Sequence, residues 1–254
     1  MSALVVGIIS AVCIFGGAML GMLLRGWLPE HHLREDSKDT VKVGAGLIAT
    51  MAALVLGLLV TSAKDSFDTM STEITQGAAK IILLDRLLAN YGPETKAVRE
   101  QLRGALASAI AKIWPVEGGA DGSEVLALDR GTSLEAVQKQ MFELTAVSDT
   151  KRQLLGQAQQ IASDLGQTRW LIIEQAQSSL PLPFFIILLF WLTMLHMSFG
   201  LLAPRNATVI MTLLICSISV SCALFLIVEL SHPLHGLVKV SAAPMRSALE
   251  HLGR

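Results

Sequence analysis

"AGLIATMAALVLGLLVT", Ala45–Thr61, places a small residue at every fourth position: Ala45, Ala49, Ala53, Gly57 and Thr61. Leucine, isoleucine, valine and methionine fill most of the gaps. The uncharged run extends from Val43 to Ala63 and is bracketed by Lys42 and Lys64. Its length matches the roughly 20 residues that a helix needs to cross a hydrocarbon core. Lipid offers a backbone amide no partner, so such a run is helical. An i, i+4 row drifts by about 40° per step around a helix, and so by about 160° over these four steps. That drift suits a close, right-handed helix crossing better than a vertical lining stripe. The row is therefore expected to pack against another helix, from the same or a neighbouring chain. Gly17 and Gly21 of the first apolar run offer a matching surface.

Three further runs are long enough to span. Ala3–Leu24 and Ala207–Val228 carry no charge, and Leu182–Ala203 holds one ionisable group, His196. The first run has no preceding Lys or Arg and exceeds a usual signal-peptide core, so it reads as a retained span. Composition agrees: 52% of the 254 residues are hydrophobic and 16% charged, against about a quarter charged in soluble domains. A net charge of −1 gives no general basic signal for nucleic acid. Cys13, Cys216 and Cys222 all lie in apolar runs, without disulfide or zinc spacing.

The fold class that follows is an all-α polytopic membrane protein. Four transmembrane helices are arranged 2+2, with a helical extramembrane domain between spans two and three. Residues 1–63 hold the first two spans and a short charged loop, Arg25–Lys42. Residues 64–180 form the extramembrane domain, 181–230 the last two spans, and 231–254 a short amphipathic tail. Beyond Lys64 a heptad seam continues at Phe67, Met70, Ile74, Gly77, Ile81, Leu84, Leu88 and Tyr91. With no proline between them, the second span and this seam read as one long helix. Gly92 and Pro93 end it and start the next, which ends at Trp114-Pro115. "VEGGADGS", Val116–Ser123, reads as a loop. Ser133 and Asp149 are placed as N-caps of two later helices, and "LPLP", Leu180–Pro183, marks the return to the membrane.

An even number of spans puts both termini and the polar domain on one side. Arg25, Arg34, Lys38, Lys42 and Arg205 face the other side, against Lys64, Lys239, Arg246 and Arg254 on the terminal side. The near tie leaves orientation open.

No nucleotide loop, metal-ligand spacing, catalytic triad or nucleophile elbow is present, so neither an enzyme nor a cofactor is expected. His31-His32 reads as part of a solvated loop. The candidate ion-path residues are polar groups in or beside the spans. Lys64, Asp65 and Asp68 stand where span two leaves the membrane and would form a charged ring in an oligomer. His196 lies within span three, Arg205 on the turn "APRN", Ser217 and Ser221 on one face of span four, and Glu229 at its end.

"LGLLVTSAKDSFD" (Leu56–Asp68), "GPE" (Gly92–Glu94) and the whole stretch from Ser198 to Leu249 resemble the bestrophin-like family of bacterial integral membrane proteins. "VELSHPLHGLVKVSAAP", Val228–Pro244, carries most of the likeness. True bestrophins, to which the similarity is remote, are pentameric anion channels in animals, with cation-conducting bacterial relatives. The resemblance thus implies a homo-oligomer in the lipid bilayer of the bacterial inner membrane that passes ions. The family's aromatic and aliphatic pore neck on the second span does not carry over, because no aromatic precedes Phe67 there. Two readings stand: an ion channel or pore, or a non-conducting scaffold or envelope sensor whose helical domain binds a protein partner.

Overall fold

The computed structural model describes residues 2–29, 35–114, 132–177, 182–234 and 236–253. Among them all regular structure is helical. In chain order the helices are α1 (Ala3–Trp27), α2 (Glu35–Tyr91), a 3-10 turn (Pro93–Thr95), α3 (Lys96–Ile113), α4 (Thr132–Phe142), α5 (Asp149–Gln177), α6 (Leu182–Leu202), α7 (Ala207–Leu230) and α8 (Ala243–His251). Four of them, α1, α2, α6 and α7, are long and apolar enough to cross a membrane. The second apolar run and the heptad seam form one helix of 57 residues. This helix also begins earlier than the loop reading allowed. Glu35 to Lys42 are helical, supported by an ion pair one turn apart between Lys42 and Asp39 (2.8 Å). His31-His32 and Val116–Ser123 lie outside the described residues.

By its internal contacts the chain divides into two compact units, Met1–Asp65 with Ser179–Ser231, and Ser66–Ser178 with His232–Arg254. In the first, α1 lies against both α6 and α7. Gly17 meets Thr193 and Gly21 meets Met197, so α1 and α6 run parallel. Gly7 meets Phe225, and Ala18 and Met22 cluster with Leu213, so α7 is antiparallel. The α1–α6 crossing is backbone on backbone. A Cβ at Gly21 would overlap the Met197 carbonyl oxygen, and one at Gly200 would overlap that of Ala18. Small residues permit this approach, and dispersion is what holds helices together where lipid is as apolar as leucine. Ile14, Leu188, Leu192, Leu195, Leu224 and Ile227 complete the core with Ala45, Ala52 and Ala63 of α2.

The crossing is closed at one end by two guanidinium groups. Arg25 donates from Nη1 to the carbonyls of Leu202 (3.4 Å) and Ala203. Arg205 donates to Met22 O from Nε (3.1 Å) and Nη2 (2.6 Å). Arg25 thus satisfies carbonyls that the end of α6 leaves without an internal partner, whereas Arg205 adds a donor to a carbonyl already inside the α1 ladder; each sits toward the negative end of the other helix's dipole. Gly26 leaves room for this, since a Cβ there would lie 2.6 Å from Arg205 Nη2.

In the second unit the seam of α2 buries Met70, Ile74, Leu84, Leu88 and Tyr91, with Phe67 and Ile81 partly covered. Gly92, at φ 137°, makes the turn that ends α2. Lys151 pins that turn: it bonds Glu94 Oε1 at 2.7 Å and lies 4.8 Å from the centre of the Tyr91 ring. Hydrogen bonding from Lys151 holds the Glu94 carboxyl below its ordinary pKa. Asp85, almost fully buried, takes both Nε (2.7 Å) and Nη2 (2.9 Å) of Arg99 and a longer bond from Gly253 N (3.4 Å). That bidentate bond raises the Arg99 pKa above its ordinary value. The described part of the tail from His232 on packs within this unit: Ala248 and Leu252 are buried among Leu84, Leu88 and Leu102. Ser148, rather than Asp149, caps α5, accepting from Lys151 N at 3.2 Å. Thr132 rather than Ser133 begins α4.

Candidate functional site

Helix α2 presents three different faces between Ala45 and Asp68. The first is buried at Ala45, Ala52 and Ala63, with Ala49, Leu56 and Leu59 partly covered. The second is large and apolar, with Leu47, Leu54 and Leu58 more than 60% exposed, as suits lipid. The third is small and weakly polar: Gly46, Thr50, Ala53, Gly57, Thr61, Lys64 and Asp68, all exposed. Their steps of four, three, four, four, three and four average close to the roughly 3.6 residues of a turn, so the stripe stays straight along the helix. At about 100° per residue it lies about 120° from the buried face. A Cβ added at Gly46 or Gly57 would meet nothing within 4 Å.

The four-residue ladder is therefore split between two faces. Ala45 and Ala49 turn inward, whereas Ala53, Gly57 and Thr61 stay open. Gly17 and Gly21 do not receive the ladder; they are occupied by Thr193, Met197 and Leu201 of α6. The physical reason is the drift itself, which carries an i, i+4 row off any one face within two turns. Gly46 and Thr50 belong to the straight stripe, and sequence inspection missed both. A search at alternating three- and four-residue steps would have found them.

The stripe has modest chemistry. The hydroxyls of Thr50 and Thr61 donate to backbone carbonyls of their own helix, at Leu47 (2.8 Å) and Gly57 (3.0 Å). With those protons committed, their outward oxygens are acceptors. At the end of the stripe Lys64 and Asp68 are exposed on consecutive turns, with Asp65 exposed to one side.

The other sequence candidates do not join this face. His196 is 5% exposed, its Nδ1 2.9 Å from Leu192 O and its ring edge-on to Phe199. Its Nε2 meets no partner among the described residues. Ser217 is buried and donates to Leu213 O at 2.7 Å. Ser221 and Glu229 are also buried. Arg205, read as a candidate ion-path group, bonds the Met22 carbonyl of α1 as described above. Asn206 accepts from Val209 N at 2.8 Å and caps α7. Cys13, Cys216 and Cys222 are free and exposed on the outer surface of their helices. Among the described residues no group of His, Cys, Asp and Glu could hold a metal.

The family model of the Bestrophin-like domain matches residues 12–245. Crystal structures of a bacterial Bestrophin homolog from Klebsiella pneumoniae share the fold. The one obtained by Zn-SAD phasing gives a TM-score of 0.71 at 15% identity, over 96% of this chain and 96% of that one. Two point variants of the same homolog also give 0.71, one at 14% identity over 96% and 97% of the chains, the other at 15% over 99% and 97%. No curated protein matches the chain.

Proposed function

This chain belongs to the bestrophin-like family, and we propose from that premise that it is a homo-oligomeric ion channel. In this reading four spans are arranged 2+2 in the bacterial inner membrane, and the helical unit is inserted between spans two and three. The ion path runs along the small face of α2. One observation carries the reading: a straight, exposed, weakly polar stripe from Gly46 to Thr61 that ends in Lys64 and Asp68. One helix face encloses nothing. Several copies around an axis would turn each stripe into part of a wall, and each Lys64, Asp65 and Asp68 into part of a ring. The large leucine face then meets lipid, while α1, α6 and α7 brace the helix from behind. Acceptor oxygens of Thr50 and Thr61 favour cations along the span.

The polar groups elsewhere in the spans support the same choice by exclusion. His196, Ser217, Ser221 and Glu229 are covered inside the single chain, where hydrated ions cannot reach them.

The test is flux through liposomes that contain purified protein with Cys13, Cys216 and Cys222 replaced by alanine. Gly57→Cys and Thr61→Cys are then treated with a charged thiol reagent. Modification is expected to block flux at both positions, whereas Leu54→Cys, on the leucine face, leaves it intact. A salt gradient gives the selectivity, expected to favour cations. Absence of flux at every salt and pH would overturn the channel and favour the scaffold or envelope sensor. Block at Leu54 but not Gly57 would move the path to another face.

A further inference from the structure

The second unit contains an apolar cleft of about 150 Å³ between α2, α3, α4, α5 and α8. Its origin is visible in α3. That helix buries Val98, Leu102 and Leu106 in turn, and then offers Ala105 and Ala109 where further large side chains would close the space. Leu102, Leu106, Leu165 and Ile172 form aliphatic walls. A space of roughly this size between such walls admits a benzene-sized apolar group, about six carbons. Two cations also line the cleft, the exposed Lys112 on the last turn of α3 and the partly buried Arg169 of α5, and among the described lining residues none is acidic. An apolar slot with two cations among its lining residues favours a ligand that carries a negative group at the end of an apolar body.

We propose that this cleft binds a free medium-chain carboxylate, its alkyl chain against Leu102, Leu106, Leu165 and Ile172 and its carboxylate drawn by Lys112 and Arg169. Six to eight carbons are about what the space holds. This site is separate from the α2 stripe, and its occupancy is measured without flux, so its failure leaves the channel reading untouched.

The experiment uses the full chain in phosphatidylcholine nanodiscs, with sodium octanoate as the probe and octanol and octylammonium as controls. Calorimetric titration is expected to show a saturable octanoate component. That component is lost in Ala105→Leu and in Ala109→Leu, which fill the slot and also report simple partitioning into the bilayer. Lys112→Gln combined with Arg169→Gln is expected to weaken octanoate about tenfold, the scale of one charge-assisted hydrogen bond, and to leave octanol unchanged. Should the filled variants fail to fold, by thermal unfolding, the charge pair alone decides. The proposal is overturned if octanoate shows no saturable component beyond partitioning. It is also overturned if octylammonium binds as well as octanoate, or if a co-purified phospholipid holds the cleft and octanoate does not displace it.

Discussion

Replacing Gly21 by alanine adds one carbon at the α1–α6 crossing, and the structure says where that carbon goes. It would overlap the Met197 carbonyl oxygen and lie 2.9 Å from Leu201 N, whereas ordinary contact begins near 3.4 Å. Both obstacles are backbone, so no side chain can swing aside. The helices must separate, and a gap of 0.5–1 Å forfeits roughly a quarter to a half of each atom-pair attraction it opens. Overpacking of this kind costs about 1–3 kcal/mol, and rigid obstacles place it near the upper end. Alanine also improves helix propensity over glycine by about 1 kcal/mol, which leaves a net loss of about 2 kcal/mol. Gly57→Ala gains the same propensity but meets nothing within 4 Å, so it should be neutral or slightly stabilising. The comparison cancels the propensity term and isolates the overlap, a difference of about 3 kcal/mol between two identical chemical changes. Reversible unfolding by SDS titration in mixed micelles measures both. If the two variants fall within about 0.5 kcal/mol of each other, the backbone contact does not hold the crossing together and the reasoning fails.

Arg205→Ala removes the bonds to Met22 O and should cost about 1.5 kcal/mol by the same titration, the low end for a hydrogen bond from a charged group, because Met22 O keeps its helical N–H partner. Gly26→Ala should reproduce part of that loss, since its new methyl group displaces the Arg205 guanidinium. Asp85→Ala leaves the Arg99 guanidinium, still mostly covered, without its bidentate acceptor; a loss of about 3 kcal/mol is expected, discounted for the partial exposure of Arg99, with Asp85→Asn losing less. The Glu94–Lys151 contact predicts a pH effect of definite sign. Its folded pKa is lowered, so its contribution is present above the unfolded glutamate value near 4.3 and is lost as pH falls through the folded value. Glu94→Gln should therefore flatten the acid side of a melting-temperature profile below about pH 4 and leave that profile's shape near pH 7 unchanged.

How far the sequence is legible differs from element to element. The continuity of α2 could be read because a span and a heptad seam share one period, with no proline between Ala63 and Tyr91. The turn at Gly92-Pro93 could be read because each residue has one strong conformational preference. The partner of Gly17 and Gly21 could not. Small residues announce that a backbone will come close, but not which one, and Gly200 and Ala53 look alike in a list of small residues. The role of Arg205 is hidden for a similar reason. A charged residue on a short turn between spans suits an ion path and a bond to a neighbouring helix equally, and its contact with Met22 O of α1 depends on a crossing that the sequence does not announce. Of the candidate site, Lys64, Asp65 and Asp68 were visible as charges at a span end. Gly46 and Thr50 were hidden because the more conspicuous i, i+4 ladder crosses the straight stripe at Ala53, Gly57 and Thr61.

That crossing explains why one helix can carry both kinds of small residue. Alanines at Ala45, Ala52 and Ala63 recur at intervals of seven and eleven, multiples close to whole turns, and so stay on the packed side. The stripe from Gly46 to Asp68 holds a different azimuth by its own alternation of three and four. If both sets served packing within the chain, both would be covered; instead one is buried with residues of α6 and α7, and at Gly46 and Gly57 of the other an added Cβ would meet nothing within 4 Å. A membrane helix whose only task on its outer side was to face lipid would have no reason to keep glycine there, since glycine weakens a helix by about 1 kcal/mol relative to alanine. Keeping Gly46 and Gly57 on the open face therefore calls for something that leucine would obstruct, either a path between copies or a close approach of those copies. Gly57→Leu separates the two: a lining role predicts lost flux with oligomer mass unchanged, and a packing role predicts dissociation visible as a smaller mass in detergent.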